Sequence, residues 1–303
     1  MFCNNLYGNF MIDAAPVNNP VEDTGPRWLR WPLVRILVAT SFVMLPFILL
    51  QIVLQKLPID KQLMKVWPAL LSAVCCYAMY VLYVRRIERR PVAELVGSHA
   101  AGETGLGVVG GSLLFCATLG ALYVAGAYRV TTTAPWTVMI GPLFGMVVVG
   151  LLEEILFRGI LFRILQGWLG SWIAVLISVV IFTLAHAPNQ GVSAIALASV
   201  AGAGLLLCAA YMLTGRLWLG IGIHIGWNFT QGGLFSVPVS GQPAKGMIQG
   251  VLTGPNWLTG GAFGVEGSAL AVVAVIAGSA ALLAYVAKER IVAPPWKRRP
   301  VAE

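Results

Sequence analysis

The sequence of residues 147–158 is VVVGLLEEILFR, in which two adjacent carboxylates, Glu153 and Glu154, interrupt an apolar run. A charge near the centre of a lipid bilayer costs at least about 2.5–3.5 kcal/mol, and such residues therefore need a partner or a function. The composition of the whole chain indicates that this apolar run lies in lipid. We therefore interpret the stretch as part of a membrane-spanning helix that carries two carboxylates.

The composition excludes an ordinary soluble protein. Hydrophobic residues make up 58% of the 303 residues and charged residues 11%, against about 45–50% and about 25% in soluble domains. Disorder is excluded by the same figures. The net charge of +8 would suggest nucleic-acid binding in a soluble protein, but here it indicates basic loops beside a membrane. We therefore expect the lipid bilayer as a partner and no nucleic acid.

Eight apolar segments are long enough to cross a bilayer, which takes about 20 residues. We predict an all-α, polytopic membrane protein of about eight transmembrane helices, within residues 31–290. The connection over residues 236–267 is rich in Gly and Pro, and we expect an extracytoplasmic loop with no core of its own. The predicted helices cover roughly residues 36–54, 66–84, 106–127, 137–165, 171–187, 192–212, 217–235 and 268–287.

The basic residues predict the orientation. With the N-terminus in the cytoplasm, fifteen of the 20 Lys and Arg residues fall on the inside, and both termini are expected there. Residues 1–30 then form a cytoplasmic arm, residues 291–303 a basic cytoplasmic tail, and the Arg85–Arg90 run a solvated loop. The basic residues on the other side are Lys56, Lys61, Lys65, Arg129 and Lys245.

Helical spacing organises the polar residues of the apolar segments. Glu154 and Arg158 are four residues apart and can form an ion pair. Glu153 points about 100° away from that pair. His186 lies in another apolar segment, and His224 is followed four residues later by Asn228 in a third.

Glu153, His186 and His224 can lie at the same depth in the bilayer only if the hairpin of the fourth and fifth predicted helices projects further into the cytoplasm than the seventh. From the turn at 167–170, Glu153 and His186 are about 21 and 24 Å away, whereas His224 is about 12 Å from its own turn. The projection would put Arg163 and Gln166 in water.

The set is suited to hydrolysis by activated water. An unpaired carboxylate can act as general base, and one histidine can orient the water. A second histidine and an amide can donate hydrogen bonds to a developing oxyanion. We therefore predict Glu153, His186, His224 and Asn228 as catalytic residues and Glu154 and Arg158 as their supports.

At these residues the chain resembles the CPBP intramembrane proteases, also called the CAAX prenyl protease 2-like or Abi family. The motifs are Glu-Glu-x-x-x-Arg at 153–158, Phe-x-x-x-His at 182–186 and His-x-x-x-Asn at 224–228. The resemblance covers about residues 137–235. It implies an eight-helix, glutamate-dependent endopeptidase that opens to the cytoplasm, with Glu153 and His186 activating water and His224 and Asn228 stabilising the oxyanion.

Other functions remain open. A non-catalytic scaffold or regulator could keep the polar cluster for structure, and a proton-coupled transporter could use the same carboxylates. No internal repeat supports the transporter. A zinc-dependent protease is a variant of the first reading, but the histidines lack the HExxH arrangement of zincins. We expect no metal or other cofactor.

The substrate is expected to be a membrane-anchored, lipidated or hydrophobic polypeptide, without evidence for a prenylated one. We expect a multi-pass protein of the cell membrane, of bacterial origin. The sequence gives neither the oligomeric state nor the cleavage site.

Overall fold

The computed structural model describes residues 26–57 and 66–288, and over these ranges the chain is almost entirely helical. The predicted arm over 1–30, apart from its last five residues, and the predicted tail over 291–303 lie outside the described residues. The helices are α1 Pro32–Lys56, α2 Trp67–Tyr83, α3 Ala100–Val124, α4 Ile140–Glu154, α5 Arg163–Leu169, α6 Ser171–His186, α7 Ala194–Thr214, α8 Trp218–Asn228, α9 Asn256–Thr259 and α10 Ala269–Lys288.

Each of the eight predicted segments coincides with a helix. α4 and α5 form one continuous rod, because residues 155–162 join them as a π-helical segment, and residues 229–234 extend α8 in the same way. In the described ranges six helical segments are long and apolar enough to cross a bilayer, and α6 is shorter. The chain is thus an all-α membrane protein. The largest difference in boundaries is at α3, which begins at Ala100 and not near residue 106.

The helices have apolar side chains on both their inner and outer faces. Leu33, Leu37 and Leu49 of α1 are each more than 60% exposed, which is costly in water and favourable against acyl chains. α7 is the central helix and packs against α6, α8 and α10. The arrangement is that of a bundle whose outer surface faces lipid.

The closest helix pairing joins α3 to α8 through glycines. A Cβ at Gly107 or Gly111 of α3 would overlap backbone atoms of Leu219 or Ile223. Gly222 and Gly226 of α8 face α3 with the same restriction. Small residues four apart allow two backbones to touch, which is a common way for helices to associate in membranes. This contact fixes the helix that carries His224.

The segment after α8 is more ordered than the sequence suggests. β1 Tyr128–Thr133 and β2 Ile248–Leu252 form an antiparallel two-stranded sheet, with Tyr128 opposite Leu252 and a bulge near Val130. Val237 and Val265 of residues 236–267 pack against Phe115 and Trp227, so this segment shares the apolar core of the helices and has none of its own.

An ion-pair network closes the end of the bundle where the basic residues gather. Glu88 forms ion pairs with Arg35 at 3.0 Å, with Arg90 at 2.5 Å and with Arg163 at 2.9 Å. Glu94 binds Arg90 at 2.6 Å. The expectation of a fully solvated Arg85–Arg90 run is therefore wrong for Arg90, because two buried carboxylates hold it in the protein.

The expectation that Arg163 and Gln166 lie in water is also wrong. The side chain of Arg163 is 15% exposed, and its Nη2 pairs with Glu88 at 2.9 Å. Gln166 is buried and donates from Nε2 to Ser171 Oγ at 2.9 Å. Buried polar groups are tolerated where each has a hydrogen-bond partner. For Arg163 this partner is Glu88, in the segment that directly follows α2.

The α3–α8 contact leads to a test of the fold. We expect Gly111→Ala to lower the melting temperature of the purified protein by several degrees, because the new methyl group overlaps the carbonyl oxygen of Ile223. Gly110→Ala is the matched control: its Cβ meets nothing within 4 Å, and alanine is the better helix former by about 0.5–1 kcal/mol. Equal melting temperatures of both variants in detergent would contradict the close packing.

Candidate active site

Glu153 lies one residue before the end of α4 and faces a cavity. Its side chain is 23% exposed, yet its Oε2 is buried. Within the described ranges this oxygen has no hydrogen-bond partner. Nε2 of His186 is 3.9 Å away and Nε2 of His224 is 3.8 Å away. These separations are too long for direct hydrogen bonds and leave the oxygen available to a bridging molecule such as water.

His186 is the last residue of α6, and its ring is oriented by its own helix. Nδ1 is 2.8 Å from the carbonyl oxygen of Phe182. A carbonyl oxygen only accepts hydrogen bonds, so Nδ1 carries the proton and, in the neutral ring, Nε2 is the acceptor that faces Glu153. The four-residue spacing from Phe182 to His186 is what makes this contact possible.

His224 of α8 bridges the two glutamates. Its Nδ1 is 3.3 Å from Oε1 of Glu154, and its Nε2 faces Glu153. The carboxylate of Glu154 accepts from a protonated Nδ1 and thereby fixes the ring. Asn228 lies one helical turn later and lines the same cavity. Both residues are buried. The sequence predicted that these residues lie close together, as they do in the structure, but it did not predict the contact between His224 and Glu154.

Glu154 and Arg158 form the ion pair that their spacing predicts. Nη1 of Arg158 donates to Oε1 of Glu154 at 2.8 Å, and Nη2 donates to the carbonyl oxygen of Gly204 in α7 at 3.0 Å. The side chains are 0% and 1% exposed. The guanidinium also lies 4.6 Å from the centre of the Phe182 ring, a distance at which a cation is attracted to an aromatic face.

The cavity has a volume of about 300 Å³ and is mostly apolar. α4, α6, α7 and α8 contribute to its wall, and the segment after α8 adds residues that the sequence prediction missed. Among the missed residues are Trp227, Ser240, Gln242 and Glu266. Glu266 had one detectable signal, since it is an acidic residue in a segment otherwise poor in charge. Trp227 lies in α8 between His224 and Asn228, whereas the places of Ser240 and Gln242 depend on how residues 236–267 fold back, which the sequence did not indicate.

The cavity lies toward the helix ends that are remote from the basic residues. α6 ends at His186, and Asn189 beyond it lines the cavity. Residues after the end of α8 also line the cavity. Arg163 and Arg216 instead lie before the first residues of α6 and α8. The cytoplasmic position of the basic end and the opening of the site to the cytoplasm both stay predictions.

The buried pair gives a test of stability. We expect Arg158→Met to lower the free energy of unfolding by about 3–5 kcal/mol, because Glu154 is left buried without its partner. Arg85→Met is the matched control, since that arginine is exposed. Melting temperature and monodisperse yield in detergent give the measurement. A wild-type melting temperature for Arg158→Met would show that the pair does not hold the bundle.

The comparisons with known proteins agree with the motifs. Residues 134–230 match the family model described as type II CAAX prenyl endopeptidase Rce1-like. No curated protein matches the chain, and no solved structure does. The matched residues contain all three motifs and end just after Asn228. The resemblance is thus confirmed over residues 134–230, which are similar to type II CAAX prenyl endopeptidase Rce1-like proteins, a family of proteases.

Proposed function

We propose that this protein is an intramembrane endopeptidase that hydrolyses peptide bonds by glutamate-activated water. The observation that carries the proposal is the unpaired, buried Oε2 of Glu153, with the Nε2 atoms of His186 and His224 at 3.9 and 3.8 Å. Substrates are membrane-anchored or lipidated proteins or hydrophobic peptides, since the cavity is apolar and the protein lies in lipid. The protein is a multi-pass component of a bacterial cell membrane.

The reaction begins with a water molecule held between Glu153 and His186. The water donates one hydrogen bond to Oε2 of Glu153 and one to Nε2 of His186. Glu153 removes a proton as the water oxygen attacks the carbonyl carbon of the scissile bond, and the carbonyl π electrons move to its oxygen. When the tetrahedral intermediate collapses, the C–N bond breaks and Glu153 returns the proton to the leaving amine.

His224 and Asn228 stabilise the oxyanion. The amide of Asn228 is a donor, and Nε2 of His224 becomes one when the ring carries both protons. Glu154 next to Nδ1 stabilises that imidazolium, as a carboxylate does in other hydrolases. Adjacent glutamates thus have different roles: Glu153 handles protons, and Glu154 orients and charges a histidine.

The function is tested by Glu153→Gln. We expect kcat to fall by about 10²–10⁴-fold, because an amide cannot accept the proton. The measurement is cleavage of a hydrophobic peptide library by purified protein in liposomes, read by mass spectrometry, with prenylated and unmodified peptides as separate arms. Glu153→Gln should keep the wild-type melting temperature, since Oε2 makes no hydrogen bond that would be lost.

Two outcomes would overturn the assignment. Equal cleavage by wild type and a folded Glu153→Gln protein would remove Glu153 from the chemistry. Absence of cleavage by the wild type over the whole library would favour the scaffold, for which the polar cluster serves structure alone.

The proposed mechanism uses no metal. Zinc ligands at about 2.0–2.1 Å and tetrahedral angles are about 3.3 Å apart, and the Glu153–histidine separations of 3.8 and 3.9 Å exceed that value. The described residues contain no group of three or more His, Cys, Asp or Glu side chains arranged for a metal. These separations disfavour a zinc site.

We therefore expect activity to survive dialysis against a strong chelator. Metal content should be measured on the same sample, so that residual activity and residual zinc are compared directly. Activity that falls with chelation and returns in proportion to added zinc would establish the zinc-dependent variant.

A further inference from the structure

A second carboxylate enters the cavity from outside the matched family segment. Glu266 lies in the short turn Val265–Gly267 that precedes α10. Its side chain lines the same cavity as Glu153, His224 and Asn228. The mechanism proposed above does not use it.

Glu266 is held in place by a tight turn on the segment after α8. Val239 and Gln242 form a bridge around Ser240 and Gly241, whose φ angles are 48° and 79°. The positive φ of Ser240 is unusual for a residue with a Cβ. The backbone N–H of Ser240 donates to Oε1 of Glu266, and that of Gly241 donates to the carbonyl oxygen of Phe263 at 2.9 Å. The carboxylate is thus fixed at the cavity wall.

The cavity gives this carboxylate no cationic partner of its own. Its ionisable lining residues are Glu153, Glu266, His186 and His224, and none of the described lining residues is Lys or Arg. Arg158 is behind the wall and is occupied by Glu154 and by Gly204. Burial raises the pKa of Glu266 to about 7, an effect that the Ser240 N–H and His224 oppose. The group is therefore poised between its neutral and charged forms near neutral pH.

We propose that Glu266 is a specificity-determining residue, which binds a cationic group of the substrate near the scissile bond. The inference rests on the proposed protease function. The cation is an ammonium or guanidinium, from a Lys or Arg side chain or from a free α-amino group. In a site of low dielectric, a carboxylate attracts a cation and repels a second anion more strongly than it does in water. Substrates with an acidic residue at that position are rejected.

The test compares peptides that differ at one position. Peptides with Lys, Gln or Glu are placed at each site flanking the scissile bond, with free and acetylated N-termini as separate arms to distinguish a side chain from an α-amino group. We expect wild-type kcat/KM to favour Lys over Gln by about tenfold at one position or at the free N-terminus. Glu266→Gln keeps an acceptor for the Ser240 N–H, and it should cleave the Lys and Gln peptides with equal kcat/KM.

A pH profile separates this role from a structural one. The Lys-to-Gln ratio of kcat/KM should rise as pH increases through about 7, because Glu266 ionises there. His186, His224 and Glu153 act on both peptides, so the ratio reports the difference between the two side chains. The ratio for Glu266→Gln should stay flat.

The proposal can fail independently of the protease assignment. Equal wild-type kcat/KM for Lys and Gln peptides at every position and at both N-termini would overturn it, as would a preference that survives in Glu266→Gln. Binding of the same peptides to Glu153→Gln, followed by fluorescence anisotropy, tests it without cleavage. A tenfold tighter Kd for the cationic peptide at pH 8, lost in Glu153→Gln/Glu266→Gln, supports it, and equal Kd values contradict it.

Discussion

The buried ion pair of Glu154 and Arg158 is the interaction on which the site depends. Arg158 contacts three helices: it binds Glu154 of α4, the Gly204 carbonyl of α7 and the Phe182 ring of α6. Glu154 in turn contacts His224 of α8. A charge pair buried this deeply must satisfy nearly all its hydrogen-bonding atoms, because each unpaired one costs free energy in a low dielectric. That requirement fixes how the four helices can meet.

The same pair explains why two adjacent glutamates differ. On a helix, neighbours point about 100° apart, so Glu154 can face Arg158 while Glu153 faces the cavity. Nη1 and Nη2 of Arg158 donate to Glu154 and to Gly204, and Oε2 of Glu153 has no hydrogen-bond partner among the described residues. The close α3–α8 contact then brings His224 to it, and the Phe182 carbonyl orients His186. The contacts of its neighbours thus leave Glu153 facing the cavity.

The segment after α8 completes the cavity and gives it its charge. Its turn at Ser240 and Gly241 holds Glu266 at the wall, and the ionisable residues of the mostly apolar lining are then two glutamates and two histidines. At the opposite end of the bundle, the buried Glu88 pairs with partly buried arginines. Several basic residues that suggested a cytoplasmic face are therefore parts of internal ion pairs, and they carry less information about orientation than their number suggests.

The sequence by itself determined the membrane class, the eight helical segments and the Glu154–Arg158 pair. Apolar runs and four-residue spacings are local properties, and a helix converts them directly into faces and pairs. It also indicated Glu153, His186, His224 and Asn228, because polar groups in apolar runs need a reason to be there. Only the tertiary structure decided that His224 contacts both glutamates, that Arg163 pairs with Glu88, and that Glu266 reaches the cavity. These contacts join residues up to 75 positions apart, and their geometry depends on how the chain folds back, which no local pattern encodes.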